Sequence, residues 1–447
     1  MVRYVICPKV HRGPSIVPQT LERRRPTPLF GDRNITLVVL ARFISRVGGT
    51  AVFFIGIWGV AAYQFNVSAS TLAILMAGNS ITAIIGSVVA GVLVDRVGPR
   101  KVLLGAELLT IPVMVALCFV HSYTTFVAVA WLFGLVGSPT FTAGAAFAPY
   151  LVRGRPRDLE RINGWIEAAG SAGFVLGPAL GALVTSLWGL QSVFIAAALA
   201  STIAAVVVWF VRIDVPERTG DEPHPYAELK DGLRVAYTTR ALRYAILVGT
   251  TVWFGFGAFS ALEPLFYRDV VHVGVEWIGW MNTFFSFGLV FGAWGLAKLP
   301  AKVVSSRGLC VMGALCGLGA IAYVGSTQLP LIAAGAAVWG LVIGLAEPLL
   351  RTMLQVAAPE GYVGRVVGAA QYHRSAGELV PLAIAPAAAA AFGVQPTLIA
   401  GGVLVAIVLL LTWPVAASID RELAEQGLVV GPTAPGPARV GIGDELL

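Results

Sequence analysis

Runs of about twenty apolar residues, the length that crosses a bilayer as a helix, follow one another down this chain with only short polar breaks between them. Twelve such runs are predicted as helices, over Ile35–Tyr63, Thr71–Val94, Val102–Val120, Thr124–Phe147, Ile162–Leu187 and Ser192–Val211, then Leu242–Phe266, Trp277–Ala297, Gly308–Gly325, Leu331–Leu354, Val366–Phe392 and Thr397–Ala417. Most are apolar on every face, as helices in contact with lipid or buried in a bundle are. Only 12% of the 447 residues are charged, against about 25% in a soluble domain. Too few polar groups exist to cover a water-exposed surface, so lipid must cover much of it. The 51 glycines suit close helix approach in a bilayer.

The formal charge of +7 would suggest nucleic acid in a soluble protein, but here its placement decides. With a cytoplasmic N-terminus, Arg96, Arg100, Lys101, Arg153, Arg212, Lys298, Arg307 and Arg365 fall on the inner side, and of the outer loops only one holds a basic residue, Arg268. That bias predicts both termini in the cytoplasm and no nucleic-acid partner. Residues 1–34 form a basic, Pro-rich tail with Arg23, Arg24 and Arg25 in a row and no apolar core of a signal peptide. A polar linker, residues 213–240, separates two membrane regions, 35–212 and 241–417, and 418–447 is read as a second cytoplasmic tail. Ser171-Ala172-Gly173 returns as Ser375-Ala376-Gly377, 204 residues on, and Gly134-Leu135-Val136 returns as Gly340-Leu341-Val342, 206 residues on. A duplicated six-helix unit leaves such an offset. The expected fold is therefore an all-α integral membrane protein, twelve transmembrane helices in two pseudo-symmetric bundles. Cys7, Cys118, Cys310 and Cys316 form no metal-type pair, and no nucleotide or zinc motif is present, so no metal, cofactor or enzyme activity is expected.

Between helices two and three stands Gly91-Val-Leu-Val-Asp95-Arg96-Val-Gly98-Pro-Arg100-Lys101. It resembles the cytoplasmic loop signature of the major facilitator superfamily. Gly91 is expected to let two helices approach, Gly98 to permit a tight turn, and Asp95 to pair with Arg and a helix N-terminus as an inner latch. Helix five carries Gly173-Phe-Val-Leu-Gly177-Pro178-Ala-Leu-Gly181, which resembles the motif of the drug–proton antiporter branch. The entries to helices five and eleven, Asp158 to Gly164 and Pro359 to Gly368, resemble the macrolide, multidrug and siderophore exporters. That group often has an Asp after Gly in helix one, where this chain has Gly48-Gly49, so no proton role carries over there.

The resemblance implies a central cavity lined by helices one, four, seven and ten. Arg42 and Arg46 share a face of helix one, with Arg46 roughly 15–20 Å into the span at 1.5 Å per residue. They are candidates for an anionic substrate group, with a structural ion pair as the competing reading. Trp58, Trp131, Trp253 and Trp339 are candidates for an aromatic wall, with lipid or core contacts as the alternative. Glu347 is the first candidate for proton coupling and Glu378 the second; Arg351 and Arg374, each four residues away, are expected to pair with them locally. Glu107 is a third candidate, with a salt bridge to Arg100 or Lys101 as the structural alternative. Glu167 and Arg365 are grouped with the gating loop, with substrate contact as the alternative for Glu167, and Glu263 near the outer end of helix seven is read as facing either solvent or an outer gate.

These residues predict a secondary transporter with a small-molecule substrate, protons as the coupling ion, and the bilayer as its surroundings. The expected activity is proton-coupled export of an amphipathic molecule by a monomer in a bacterial cytoplasmic membrane. A proton–solute symporter and a lipid or lipid-precursor translocase remain alternatives, with a non-transporting sensor or enzyme the least supported.

Overall fold

A computed structural model describes residues 32–152, 156–213, 234–237, 239–296, 298–300, 303–359 and 362–425. Residues 1–31 of the expected basic tail, residues 214–233 and 238 of the linker, Arg153, Arg155, Glu360, Gly361 and the segment beyond 425 lie outside the described residues.

The membrane helices are α1 (Arg33–Ala51, continued by π-helical turns to Gln64), α2 (Ala69–Val97), α3 (Pro99–Cys118), α4 (Tyr123–Ala145), α5 (Pro156–Trp188) and α6 (Ser192–Trp209). After the linker come α7 (Arg240–Leu265, continued by a π-helical turn to Val271), α8 (Glu276–Leu296), α9 (Ser306–Val324), α10 (Leu329–Ala357), α11 (Val363–Phe392) and α12 (Val394–Leu411). A last amphipathic helix, α13, spans Trp413–Glu425. The run expected over Thr397–Ala417 is thus two helices, broken at Thr412. The start of α13 leaves the membrane run, and its Asp420 accepts hydrogen bonds from the Ser306 and Arg307 amides at 2.7 and 3.1 Å. A carboxylate there satisfies donors that the first turn of α9 cannot satisfy itself.

Local chemistry sets the helix starts. Ser68, Ser122, Thr239 and Ser305 each accept a first-turn amide at the N-caps of α2, α4, α7 and α9. Gly98, at φ +84°, turns the chain between α2 and α3, a conformation that a side chain would strain. Among the described residues, eleven helices are long and apolar enough to cross a membrane. The remaining long one, α8, is diluted by Asn282, Thr283 and Ser286, all buried, so its polar groups face protein. Ile74, Val88, Leu199 and Leu411 are 62, 64, 60 and 74% exposed on the outside of the bundle. Water would not tolerate that belt; hydrocarbon does.

Within the first half α1 packs on α5 and α6, α2 on α4, and α3 on α4 and α6. The second half repeats this, with α7 on α11 and α12, α8 on α10, and α9 on α10 and α12. The halves meet where α5 packs on α8 and α2 on α7 and α11. The repeat holds at single contacts: Gly173 of α5 abuts Arg46 of α1, and 204 residues on Gly377 of α11 abuts Thr250 of α7.

Helix ends pair on one side: the Arg212 amide donates to Asn34 Oδ1, and Arg240 pairs with Glu422 at 3.5 Å. On the opposite side the halves close on each other. Arg268 Nη1 donates to Ala62 O and Val67 O at 2.7 and 3.2 Å, and the Tyr63 hydroxyl donates to Val273 O at 3.0 Å. These partners stand in or just beyond the π-helical ends of α1 and α7, where widened turns leave carbonyls unclaimed.

Candidate functional site

Between the halves lies a cavity of about 460 Å³, within the size range of small-molecule sites. Exposed Glu167 and Ser171 stand toward the side of the helix ends, and buried Glu263 and Asn282 line the part nearest the closed side. Its walls come from α1, α5, α7, α8, α9, α10 and α11.

Arg42 and Arg46 enter it from α1. The helix-five glycines place them: a Cβ on Gly173 would lie 2.7 Å from Arg46 Cβ, and one on Gly177 would strike Thr50. Bare glycine lets α5 press on α1 and points the arginines into the gap. Arg42 donates to Phe141 O at 3.1 Å, while Arg46 lies over the Phe141 and Phe174 rings at 4.1 and 5.2 Å. Glu167 lines this wall rather than pairing in the gating loop, because its position on α5 follows the inward face shared with Gly170 and Phe174.

On the facing wall Glu347 of α10 meets Arg374 of α11 at 3.2 Å, not its expected neighbour Arg351. Trp253 Nε1 donates to the same Glu347 oxygen at 2.8 Å, and the Arg374 guanidinium sits 3.4 Å over the Trp253 ring. Glu378 likewise takes its hydrogen bond, at 3.3 Å, from Ser260 of α7 rather than from Arg374. Trp253 stacks on Phe256 and Phe256 on Trp339, each at 4.7 Å with planes 22° and 21° apart. Deeper, Glu263 Oε1 accepts from the Tyr323 hydroxyl at 2.6 Å and from Asn282 at 3.0 Å, and Tyr323 shares a 2.6 Å bond with Tyr267.

Arg42, Arg46, Trp58, Trp253, Trp339, Glu347 and Glu378 therefore share one cavity. Trp131 does not: its Nε1 donates to Leu75 O at 3.0 Å and its ring fills the space beside Gly78, sealing α4 to α2. Glu107 is also elsewhere, 1% exposed inside the first half beside Ser45 and Ser201. Arg100 does not bridge to it but donates to Trp209 O at 2.7 Å. In the loop, Asp95, Arg96 and Lys101 are exposed, and Arg365 lies 5.2 Å from the Tyr362 ring. Among the described residues, a Cβ on Gly91 would meet nothing within 4 Å, so the expected close helix contact at this glycine is not made by them. Pro178 and Ala182 instead abut Gly279 of α8, so the helix-five motif touches both halves.

A two-halved helical membrane fold closing around a central, charged and aromatic cavity defines a transporter rather than an enzyme. The Major Facilitator Superfamily profile matches residues 38–382, and the chain belongs to that family. It is similar to the multidrug efflux pump Tap of Mycobacterium tuberculosis, 26% identical over 355 residues covering 75% of this chain and 83% of that one. Macrolide efflux protein A of Enterococcus faecalis is 28% identical over 243 residues, 51% of this chain and 73% of that one. Among solved structures, a bacterial homologue of the human lysosomal transporter Spinster shares the fold at TM-score 0.65 and 12% identity, over 93% of this chain and 100% of that one. The nucleoside transporter NupG does so at TM-score 0.66 and 13% identity, over 86% of this chain and 100% of that one.

Proposed function

We propose that this chain is a proton-coupled exporter of amphipathic small molecules, such as drugs, antibiotics, secondary metabolites or siderophores. It works as a monomer in a bacterial cytoplasmic membrane, with both termini cytoplasmic. Residues 35–212 and 241–417 rock against each other as two bundles, and the loop from Gly91 to Lys101, with Arg365, closes the cytoplasmic side. The efflux names of the relatives support the direction, and the basic inner segments support the orientation.

The observation that carries the coupling is the Glu347–Arg374 pair inside the cavity, with Glu378 one turn along α11. A neighbouring cation favours the charged form of a carboxylate, and removing that cation favours its protonated form. Arg374 can serve Glu347, Glu378 or a bound substrate, but not all of them at once. Substrate and proton therefore compete for one set of groups, which is the requirement for antiport.

The test uses purified protein in weak buffer with a pH dye. Addition of a macrolide or a siderophore carboxylate should release protons, and Glu347→Gln or Glu378→Gln should abolish the release while binding persists. Binding without proton release in the wild-type protein anywhere between about pH 6 and 8 would sink proton antiport.

A further inference from the structure

We infer that the cavity selects planar aromatic anions: a carboxylate, sulfonate or phosphate held by Arg42 and Arg46, with its ring system against the Trp253–Phe256–Trp339 ladder. The inference rests on the transport reading only in treating the bound molecule as cargo.

The two walls differ in how their charges are satisfied. Each acid of the second half already has its donors: Arg374 and Trp253 for Glu347, Tyr323 and Asn282 for Glu263, Ser260 for Glu378. A cation that pairs with an acid of the second half therefore competes with these donors. The arginines of the first half are in the opposite condition. Among the described residues, the Arg46 guanidinium has aromatic faces for neighbours and no hydrogen-bond or ion-pair partner; Glu167, on the same wall, is near enough to attract both arginines but contacts neither. Arg42 spends one N–H on Phe141 O, and its Nε is buried without a partner. Two like charges in a partly desolvated site repel; Glu167 offsets part of that cost from a distance, and an anion in direct contact with both guanidiniums removes more of it. Guanidinium forks match the geometry of carboxylate, sulfonate and phosphate oxygens.

The internal repeat gives an independent argument. Positions 42 and 46 correspond, 204 residues on, to Ile246 and Thr250. Thr250 makes the same helix contact with Gly377 that Arg46 makes with Gly173. The packing of this unit thus works without a cation at that position, so helix contact does not account for the arginine. The aromatic ladder supplies the other half of the recognition. Successive rings are 22° and 21° from parallel and stack on one another, and all three line the same cavity as the arginines.

The experiment measures binding, so it is separate from any test of transport. Quenching of intrinsic tryptophan fluorescence is followed in the purified full-length protein on titration with naphthalenesulfonate, naphthylmethylammonium and naphthalenemethanol. These probes share a ring and differ in charge. The sulfonate should bind at least about tenfold more tightly than the ammonium. Arg46→Gln should cost the sulfonate about tenfold, Arg42→Gln a smaller factor, and both should leave the neutral alcohol within about twofold. Retained affinity for the alcohol doubles as evidence that each variant is folded. Equal or tighter binding of the ammonium overturns the inference. So does sulfonate binding that is unchanged in both variants, or no binding of any probe by folded protein. Anion preference without proton-linked flux in proteoliposomes would leave this inference standing and sink the antiport. Proton-linked flux of cations with no anion preference would do the reverse.

Discussion

Glu263 shows what one residue does at the deep end of the cavity. It is 6% exposed, and one of its oxygens takes hydrogen bonds from both Tyr323 and Asn282. Glu263→Gln keeps a carbonyl oxygen in that place, so it should cost less than about 1 kcal/mol. Glu263→Ala leaves a buried hydroxyl and a buried amide without their acceptor, and should cost about 2 to 4 kcal/mol. Thermal unfolding in detergent, with chemical denaturation as a second readout, separates the two; an alanine variant as stable as the glutamine one would refute this account. Glu263 also marks where reading the site from sequence stopped. Its position at a helix end was visible, but Tyr323 and Asn282 are 60 and 19 residues away in the chain. The same gap misassigned the partner of Glu347. An i,i+4 rule sees only its own helix, so it proposed Arg351, while Arg374 reaches across from α11. Trp131 failed for another reason: α4 is apolar on all faces, and nothing in its pattern says which face meets α2.

At the level of elements, helix placement was legible because a bilayer admits few alternatives: a run of about twenty apolar residues has to be a helix. What the pattern hid were the interruptions that hydrophobicity does not register, namely the π-helical ends of α1 and α7 and the break at Thr412. The helix-five motif was legible as close packing but not as to its partner, which is α1 along Gly173, Gly177 and Gly181, with Ala51 and Ile55 against the last. This contact sets the depth of Arg46, and it can be tested at Gly177. Gly177→Leu puts a branched side chain where Thr50 and the Val47 carbonyl already stand. Overpacking of this kind costs about 1 to 3 kcal/mol, and α5 must move off α1 to relieve it. The expected result is a lower unfolding temperature together with weaker sulfonate binding, although residue 177 lies outside the lining of the cavity. Lower stability with unchanged binding would mean that the α1–α5 contact does not position Arg46.

For the whole molecule the question is what holds one side shut while the other is open. The closed side has few polar links between the halves, and Arg268 makes two of them. Asp269 grips its Nε and Nη2 at 2.6 and 2.8 Å, which turns Nη1 toward the Ala62 and Val67 carbonyls of the other half. Around this pair Gly59 fits against Val275 and Leu190. Apolar contact of that kind resists opening little if water can enter at the polar links. Arg268→Ala removes two charge-assisted hydrogen bonds whose acceptors regain water on opening, so the net bias lost is about 1 to 2 kcal/mol. That is about a tenfold change in the ratio of open to closed forms. Arg268→Lys should fall between, since an ammonium cannot hold Asp269 in two places and still reach both carbonyls. Spin labels on cysteines at Ser70 and His272, in a background without the native cysteines, report the separation of the halves on this side. Arg268→Ala should shift the distance distribution toward a longer component, and Asp269→Asn should give a smaller shift of the same sign, because it loosens the arginine without removing it. Identical distributions in all three proteins would show that the apolar contacts at Gly59 and Gly279, with the Tyr63–Val273 hydrogen bond, hold this side closed without Arg268, and that Arg268 has no part in the gate.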